Sequence, residues 1–179
     1  MEFDILNFIQ ANLRATWLDS TMVFITRLAD GGFIWVVLAL FFLLKTRYRK
    51  LGITILLAIA VEVLACNILL KPLIARPRPF KVNTIIQLLI PAPGDYSFPS
   101  GHAAVSFAAA SVWFFSRSRR WMGVVLLAAI ISFSRLYLYV HYPSDVLAGA
   151  AIGVAAGWLT YRLTVIFLRL AKGIGELKR

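Results

Sequence analysis

The chain has two histidines, and each stands where phosphate chemistry could be done. His102 follows Phe98-Pro99-Ser100-Gly101, directly before an apolar run. Ser100 suits a helix N-cap. The helix start behind it offers free backbone N–H groups and a positive dipole end to an anion. Gly101 lets a ligand approach the backbone closely, and His102, in the first turn, points at the same spot. The second histidine lies in Ser134-Arg135, five residues, His141, then Tyr142-Pro143-Ser144-Asp145. Pro143 suits the first turn of a helix. Asp145 then sits one turn from His141 and can accept a hydrogen bond from its ring, fixing the tautomer and freeing the other nitrogen to attack. A third stretch, Lys71-Pro72-Leu73-Ile74-Ala75-Arg76-Pro77-Arg78-Pro79, carries cations among three prolines. Those prolines should stop the helix and hold an extended, stiff path. Lys and Arg suit phosphate oxygens, Arg binding two at once.

Taken singly, each stretch has a plainer reading: a capped helix with a histidine at its end, an Asp–His pair that caps, a solvated basic loop. What distinguishes them is their company, since both histidines fall at helix ends beside cations.

The elements that must position these residues are membrane helices. The composition is 60% hydrophobic and 15% charged, with mean hydropathy +0.80, too few charges to solvate a soluble domain of ordinary surface. A spanning helix needs about 20 apolar residues. Five segments fit: Asp19–Leu44 with an irregularity at Asp30, Gly31 and Gly32, then Leu51–Leu70, the shorter Gly101–Phe115, Met122–Leu138, and Val146–Leu170. Residues 3–17 mix Phe3, Leu6, Phe8, Ile9 and Leu13 with polar neighbours, which suits an interfacial amphipathic helix or a polar extension of the first span. The expected architecture is an all-α polytopic bundle of about five spans plus that N-terminal helix, forming one domain over residues 1–179. Nothing at the N-terminus resembles a cleaved signal peptide.

The net charge is +11. Its basic clusters lie between apolar segments, which points to a membrane and not to nucleic acid. Lys45, Arg47, Arg49 and Lys50, then Arg117, Arg119 and Arg120, then Arg169, Lys172, Lys178 and Arg179 fall on one side of a five-span topology. That side should be cytoplasmic. Residues 71–100 and 139–144 then face outward, and the first carries Lys71, Arg76, Arg78 and Lys81 against the bias. An anionic ligand explains them. Cys66 is the single cysteine; it is read as a small buried thiol, and no intrachain disulfide is possible.

The order Lys-x6-Arg-Pro, Pro-Ser-Gly-His, Ser-Arg-x5-His-x3-Asp resembles the three-part signature of the type 2 phosphatidic acid phosphatase superfamily. It is matched by Lys71, Arg78 and Pro79, by Pro99 to His102, and by Ser134, Arg135, His141 and Asp145. The apolar spans match its membrane branch. The resemblance implies hydrolysis of a membrane lipid phosphate at the outer face of a plasma membrane, taken as bacterial. His141 would be the nucleophile that forms a phosphohistidine, oriented by Asp145. His102 would be the acid and then the base, while Lys71, Arg78, Arg135, Ser100 and Gly101 hold the phosphate. Arg76 is auxiliary. Glu62, inside the second span, is structural or bears on substrate.

No metal or other cofactor is expected. Mg²⁺ prefers carboxylates, and the outward connections offer Asp95 and Asp145 alone, the latter committed to His141. No obligatory protein partner is expected. Undecaprenyl pyrophosphate is the favoured substrate by association with compact bacterial members. Phosphatidylglycerophosphate, phosphatidic acid and lipid A phosphates are alternatives, as is phosphoryl transfer to another lipid. A vanadium haloperoxidase or a non-enzymatic anionic-lipid transporter is a remote reading.

Overall fold

The computed structural model describes residues 1–117 and 120–177, with residues 172–177 by backbone alone. Arg119, Lys178, Arg179 and the Lys172 side chain, counted in the basic clusters above, lie outside the described residues. The regular elements described are all helical: α1 (Glu2–Asn12), α2 (Thr16–Leu28), α3 (Phe33–Leu43), α4 (Arg49–Val63), α5 (Pro79–Val82), α6 (Gly101–Phe115), α7 (Trp121–Tyr137) and α8 (Pro143–Leu177).

Two described segments are long and apolar enough to cross a membrane, Thr46–Val82 with mean hydropathy 2.5 and Pro143–Ala171 with 1.6. α2 and α3, bent by 48° at their junction, make a third if taken as one span. α6 and α7 are apolar but shorter, so a count of five depends on these two crossing as well.

α6 is the centre of the bundle. Its small residues Ala103, Ala104, Ala108 and Ala109 are fully buried, and α8 packs along it through glycines at four-residue spacing. A Cβ at Gly149 would stand 2.4 Å from the Ser100 carbonyl oxygen, one at Gly153 2.2 Å from that of Ala104, and one at Gly157 2.6 Å from that of Ala108. Small residues at this spacing let two membrane helices pack backbone to backbone. The contact ties the helix that carries His102 to the helix that carries Asp145.

Pro72 does not stop its helix, contrary to the expectation from sequence. α4 continues through a π-helical stretch, Leu64–Leu70, and an α-helical turn, Lys71–Ile74, before Ala75 ends it in the left-handed region. The widened turn is where a proline without an N–H can be absorbed. Lys71 therefore projects from a helix end and not from an extended loop. The extended path begins only at Arg76.

The irregularity at Asp30–Gly32 is a 3₁₀ turn with Gly31 at φ 58° and Gly32 at φ 75°. Both lie where side chains are strained. Gly32 also presses on α6, since a Cβ there would meet Val105 at 2.9 Å. The turn delivers Asp30 to the start of α6.

α1 is a separate helix that lies against the α7–α8 connection. Leu6 and Ile9 are buried, packing beside Tyr139 and Tyr142 and beside Leu138 and Val140 respectively. In the stretch after α5, Leu88, Leu89 and Ile90 pack against the cluster that holds Ile9, Met22, Tyr137, Leu138 and Val140, while Ile85 is exposed.

Candidate active site

His141 is placed by a turn that closes α7. The chain leaves the helix through Tyr139, held at φ 59°, a region a bulky residue enters only when its surroundings fix it. The fixing is visible: the Tyr139 hydroxyl donates to Asn7 Oδ1 at 2.8 Å and accepts from Asn83 Nδ2 at 3.0 Å. Val140 N–H reaches back to the Arg135 carbonyl at 3.2 Å. The histidine that follows is 1% exposed.

The two ring nitrogens face opposite ways. Nε2 lies 3.1 Å from Arg78 Nη1. A guanidinium has no acceptor, so Nε2 must be the lone-pair nitrogen and Nδ1 must carry the proton. Nδ1 lies 3.5 Å from Asp145 Oδ2, too long for a full hydrogen bond. That oxygen already accepts from Ser97 Oγ at 2.5 Å and from the Tyr142 N–H at 2.9 Å. Burial pushes the His141 pKa far below its ordinary value, and the charges of Arg78 and Arg135 add to this against the pull of Asp145. The ring is held neutral.

His102 stands in the first turn of α6 with its Nε2 2.9 Å from Asp30 Oδ1. A carboxylate partner calls for a proton on Nε2. Ser100 stands at the N-cap position, but its hydroxyl makes no cap bond. It is buried without a partner, while its N–H donates to the Asp145 carbonyl at 3.0 Å. Gly101 is crowded by Asn67, whose Oδ1 would sit 3.1 Å from an added Cβ.

The cations are held by their neighbours. Arg78 is 2% exposed and is fixed by the carbonyls of Asp95 at 2.9 Å and Val140 at 2.7 Å. Its Nη2 pairs with Asp95 Oδ1 at 2.6 Å, and Lys71 binds the other oxygen of the same carboxylate. Burial would raise the Asp95 pKa. The hydrogen bonds and charges of Lys71 and Arg78 outweigh it and hold the carboxyl well below its usual range. Arg135 donates to Thr26 Oγ1 from one nitrogen, while its Nε is buried and unpaired.

Lys71, Arg78, Arg135, His102, His141 and Gly101 line one cavity of about 400 Å³. Glu62 lines it too, with both carboxyl oxygens buried and unpartnered. Asp145, Ser100 and Arg76 lie outside that lining. Arg76 faces the rear of Asp145, 2.6 Å from Oδ1. Sequence reasoning passed over Asp95 as a partner of the cations, Asp30 as the partner of His102, and Ser97 as a partner of Asp145. No spacing marks them, because all three come from bends or irregular chain that only the fold brings in. Among the described residues no three His, Cys, Asp or Glu side chains converge as metal ligands would.

This is a buried imidazole with one unprotonated nitrogen, backed by a carboxylate and facing a cationic chamber. Both histidines, Asp145, Lys71, Arg78 and Arg135 fall within 48–168, the stretch that matches the model of the PAP2 superfamily. The chain belongs to that superfamily. It is a phosphatase of the membrane branch. It is 32% identical to an undecaprenyl-diphosphatase of Sulfolobus acidocaldarius, over 88% of this chain and 74% of that one. It is 38% identical to a lipid A 4'-phosphatase of Bacteroides thetaiotaomicron, over 73% of this chain and 64% of that one. Among solved structures it is similar to LpxE of Aquifex aeolicus, with TM-score 0.78 and 29% identity over 90% of this chain and 94% of that one.

Proposed function

We propose that this chain hydrolyses a phosphate or pyrophosphate monoester on a membrane lipid through a phosphohistidine, without a metal. The observation that carries the reading is the His141 Nε2 lone pair, turned into the cationic cavity beside Arg78. His141 Nε2 attacks phosphorus and the bond from phosphorus to the leaving oxygen breaks. His102, protonated on both nitrogens and supported in that state by Asp30, hands one proton to that oxygen and becomes neutral. Water then attacks the phosphohistidine, His102 takes its proton, and inorganic phosphate leaves. Lys71, Arg78 and Arg135 stabilise the charge on the phosphoryl oxygens in both steps. Asp145 holds Nδ1–H and supports the positive ring of the intermediate; its 3.5 Å contact tightens as that charge forms. Arg135, which lines the cavity, keeps its unpaired Nε as a donor in reserve for a phosphate oxygen.

The favoured substrate is undecaprenyl pyrophosphate, which would leave undecaprenyl phosphate. The named relative that supports it is matched over most of its length. The lipid A phosphate named by a second relative is the main alternative. The apolar segments support five spans, the mixed pattern of residues 3–17 supports α1 in the interface, and the basic loops support a site on the outer face of a plasma membrane. The test is phosphate release by purified protein in detergent with EDTA, from undecaprenyl pyrophosphate, lipid A, phosphatidylglycerophosphate and phosphatidic acid in parallel, with His141→Ala as control. Release from one lipid, lost in the variant, establishes the reaction. Activity that vanishes with EDTA and returns with Mg²⁺ would remove the metal-free mechanism.

A further inference from the structure

The rear of Asp145 is occupied by a second, separate set of charges. Arg76 Nη1 touches Asp145 Oδ1 at 2.6 Å and Ser144 Oγ at 2.7 Å, and its Nη2 touches Glu2 Oε2 at 2.5 Å. Its guanidinium lies over the Tyr142 ring at 3.9 Å from the centroid, which orients it further. The other oxygen of Glu2 accepts from the Ser144 N–H at 3.1 Å and the Ser144 hydroxyl at 2.6 Å. A residue of α1 is thus linked through one arginine to the carboxylate behind the nucleophile.

The division of labour on Asp145 follows from which oxygen is taken. Arg76 holds Oδ1, so Oδ2 is the oxygen turned to His141, Ser97 and the Tyr142 N–H. An arginine alone would also draw off the negative charge that His141 needs when it becomes positive. Glu2 returns that charge from the far side. We infer that Arg76 and Glu2 are positioning residues for the reaction: Arg76 clamps Asp145 in the orientation that serves His141, and Glu2, carried by α1, balances the clamp so that Asp145 keeps its charge for the imidazole. Neither residue reaches the cavity.

The inference rests on the phosphohistidine reading for its kinetic test and carries a readout that does not. His141 is faced by Arg78 and Arg135 on the cavity side and by Asp145 behind, with Lys71 and Asp95 beside Arg78. Glu2 reaches it through Arg76. Removing Glu2's charge should lower the basicity of His141, and removing Arg76's should raise it. In Glu2→Gln, kcat on the lipid phosphate falls ~3–10-fold with KM nearly unchanged, and the acid limb of the pH profile moves down. In Arg76→Gln, kcat also falls, but the acid limb moves up. The double variant matches Arg76→Gln alone, because Glu2 acts through Arg76.

The chain has two histidines, so ¹⁵N-histidine NMR of the detergent-solubilised protein reads the His141 ring directly, with His141→Gln for assignment. The two single variants should displace its nitrogen shifts in opposite directions, whether or not any lipid is turned over. Shifts in the same direction, no shift in Glu2→Gln, or a Glu2 effect that persists in the Arg76→Gln background would overturn the inference. The last would leave Glu2 as a cap of α8 through Ser144. If the wild type releases phosphate from no lipid, the proposed function fails while the ring shifts still judge this one.

Discussion

Asp95 is the resident anion of the cationic cavity, and replacing it should tighten binding of inorganic phosphate. Its carboxylate bridges Lys71 and Arg78, the cations proposed to hold the phosphate. Removing the charge with Asp95→Asn leaves Arg78 in place, because two backbone carbonyls hold it at 2.9 and 2.7 Å. The carboxylate is half-exposed, so solvent screens it. At ~6 Å and an effective dielectric of ~40, its repulsion of one phosphate charge is about 1.4 kcal/mol. Relief of about 1–2 kcal/mol corresponds to ~5–30-fold tighter binding. The assay is the inhibition constant of inorganic phosphate against lipid phosphate hydrolysis. Because the Asp95 carboxyl is held well below its usual range, it stays charged at working pH. The tightening should therefore be present in full at pH 5, where a carboxylate of ordinary pKa would begin to protonate, and no smaller at pH 8, where inorganic phosphate carries more charge. An unchanged or weaker constant would refute the reasoning and make Asp95 a necessary brace for Lys71, not a competitor.

Asp30→Asn takes the carboxylate from His102 Nε2, now 2.9 Å away; kcat should drop ~10–100-fold with KM little changed, measured by steady-state phosphate release. Gly153→Ala drives a Cβ to 2.2 Å from the Ala104 carbonyl oxygen. The forced separation of α6 and α8 should cost about 1–3 kcal/mol, seen as a lower thermal midpoint in detergent. His141 is buried neutral with its pKa depressed, so the unfolded chain binds a proton that the folded chain refuses. Stability should fall as pH drops below about 6.5, the unfolded histidine value. A thermal-shift series from pH 7 to pH 4 should show this slope, reduced in His141→Gln.

The histidines, the cations and Asp145 that gather in and behind the cavity were legible in the sequence because their spacing follows helix geometry. Pro143 opens α8 and sets Asp145 one turn beyond His141. Pro-Ser-Gly before an apolar run puts His102 in the first turn of α6. Loop charge and hydropathy located the apolar segments, and the paired glycines beside Asp30 marked a break. Other features needed the fold. Pro72 reads locally as a stop, yet the π-helical turn before it absorbs the missing N–H and keeps Lys71 on a helix. Ser100 reads as a cap, but its hydroxyl is left unpaired. Asp30, Asp95, Ser97 and Glu2 carry no spacing signal, because each meets its partner across long stretches of chain.

What the sequence by itself determined is therefore the inventory of chemistry and the local order of its parts: two histidines, one near carboxylate, three cations, and the apolar helices between them. Those follow from short-range geometry, fixed by the 3.6-residue turn and by proline and glycine. Only the tertiary structure decided which charges meet, which nitrogen of His141 keeps its lone pair, and that α1 lies behind Asp145. Such contacts depend on how buried helices pack, and close packing leaves each polar group few partners to choose from.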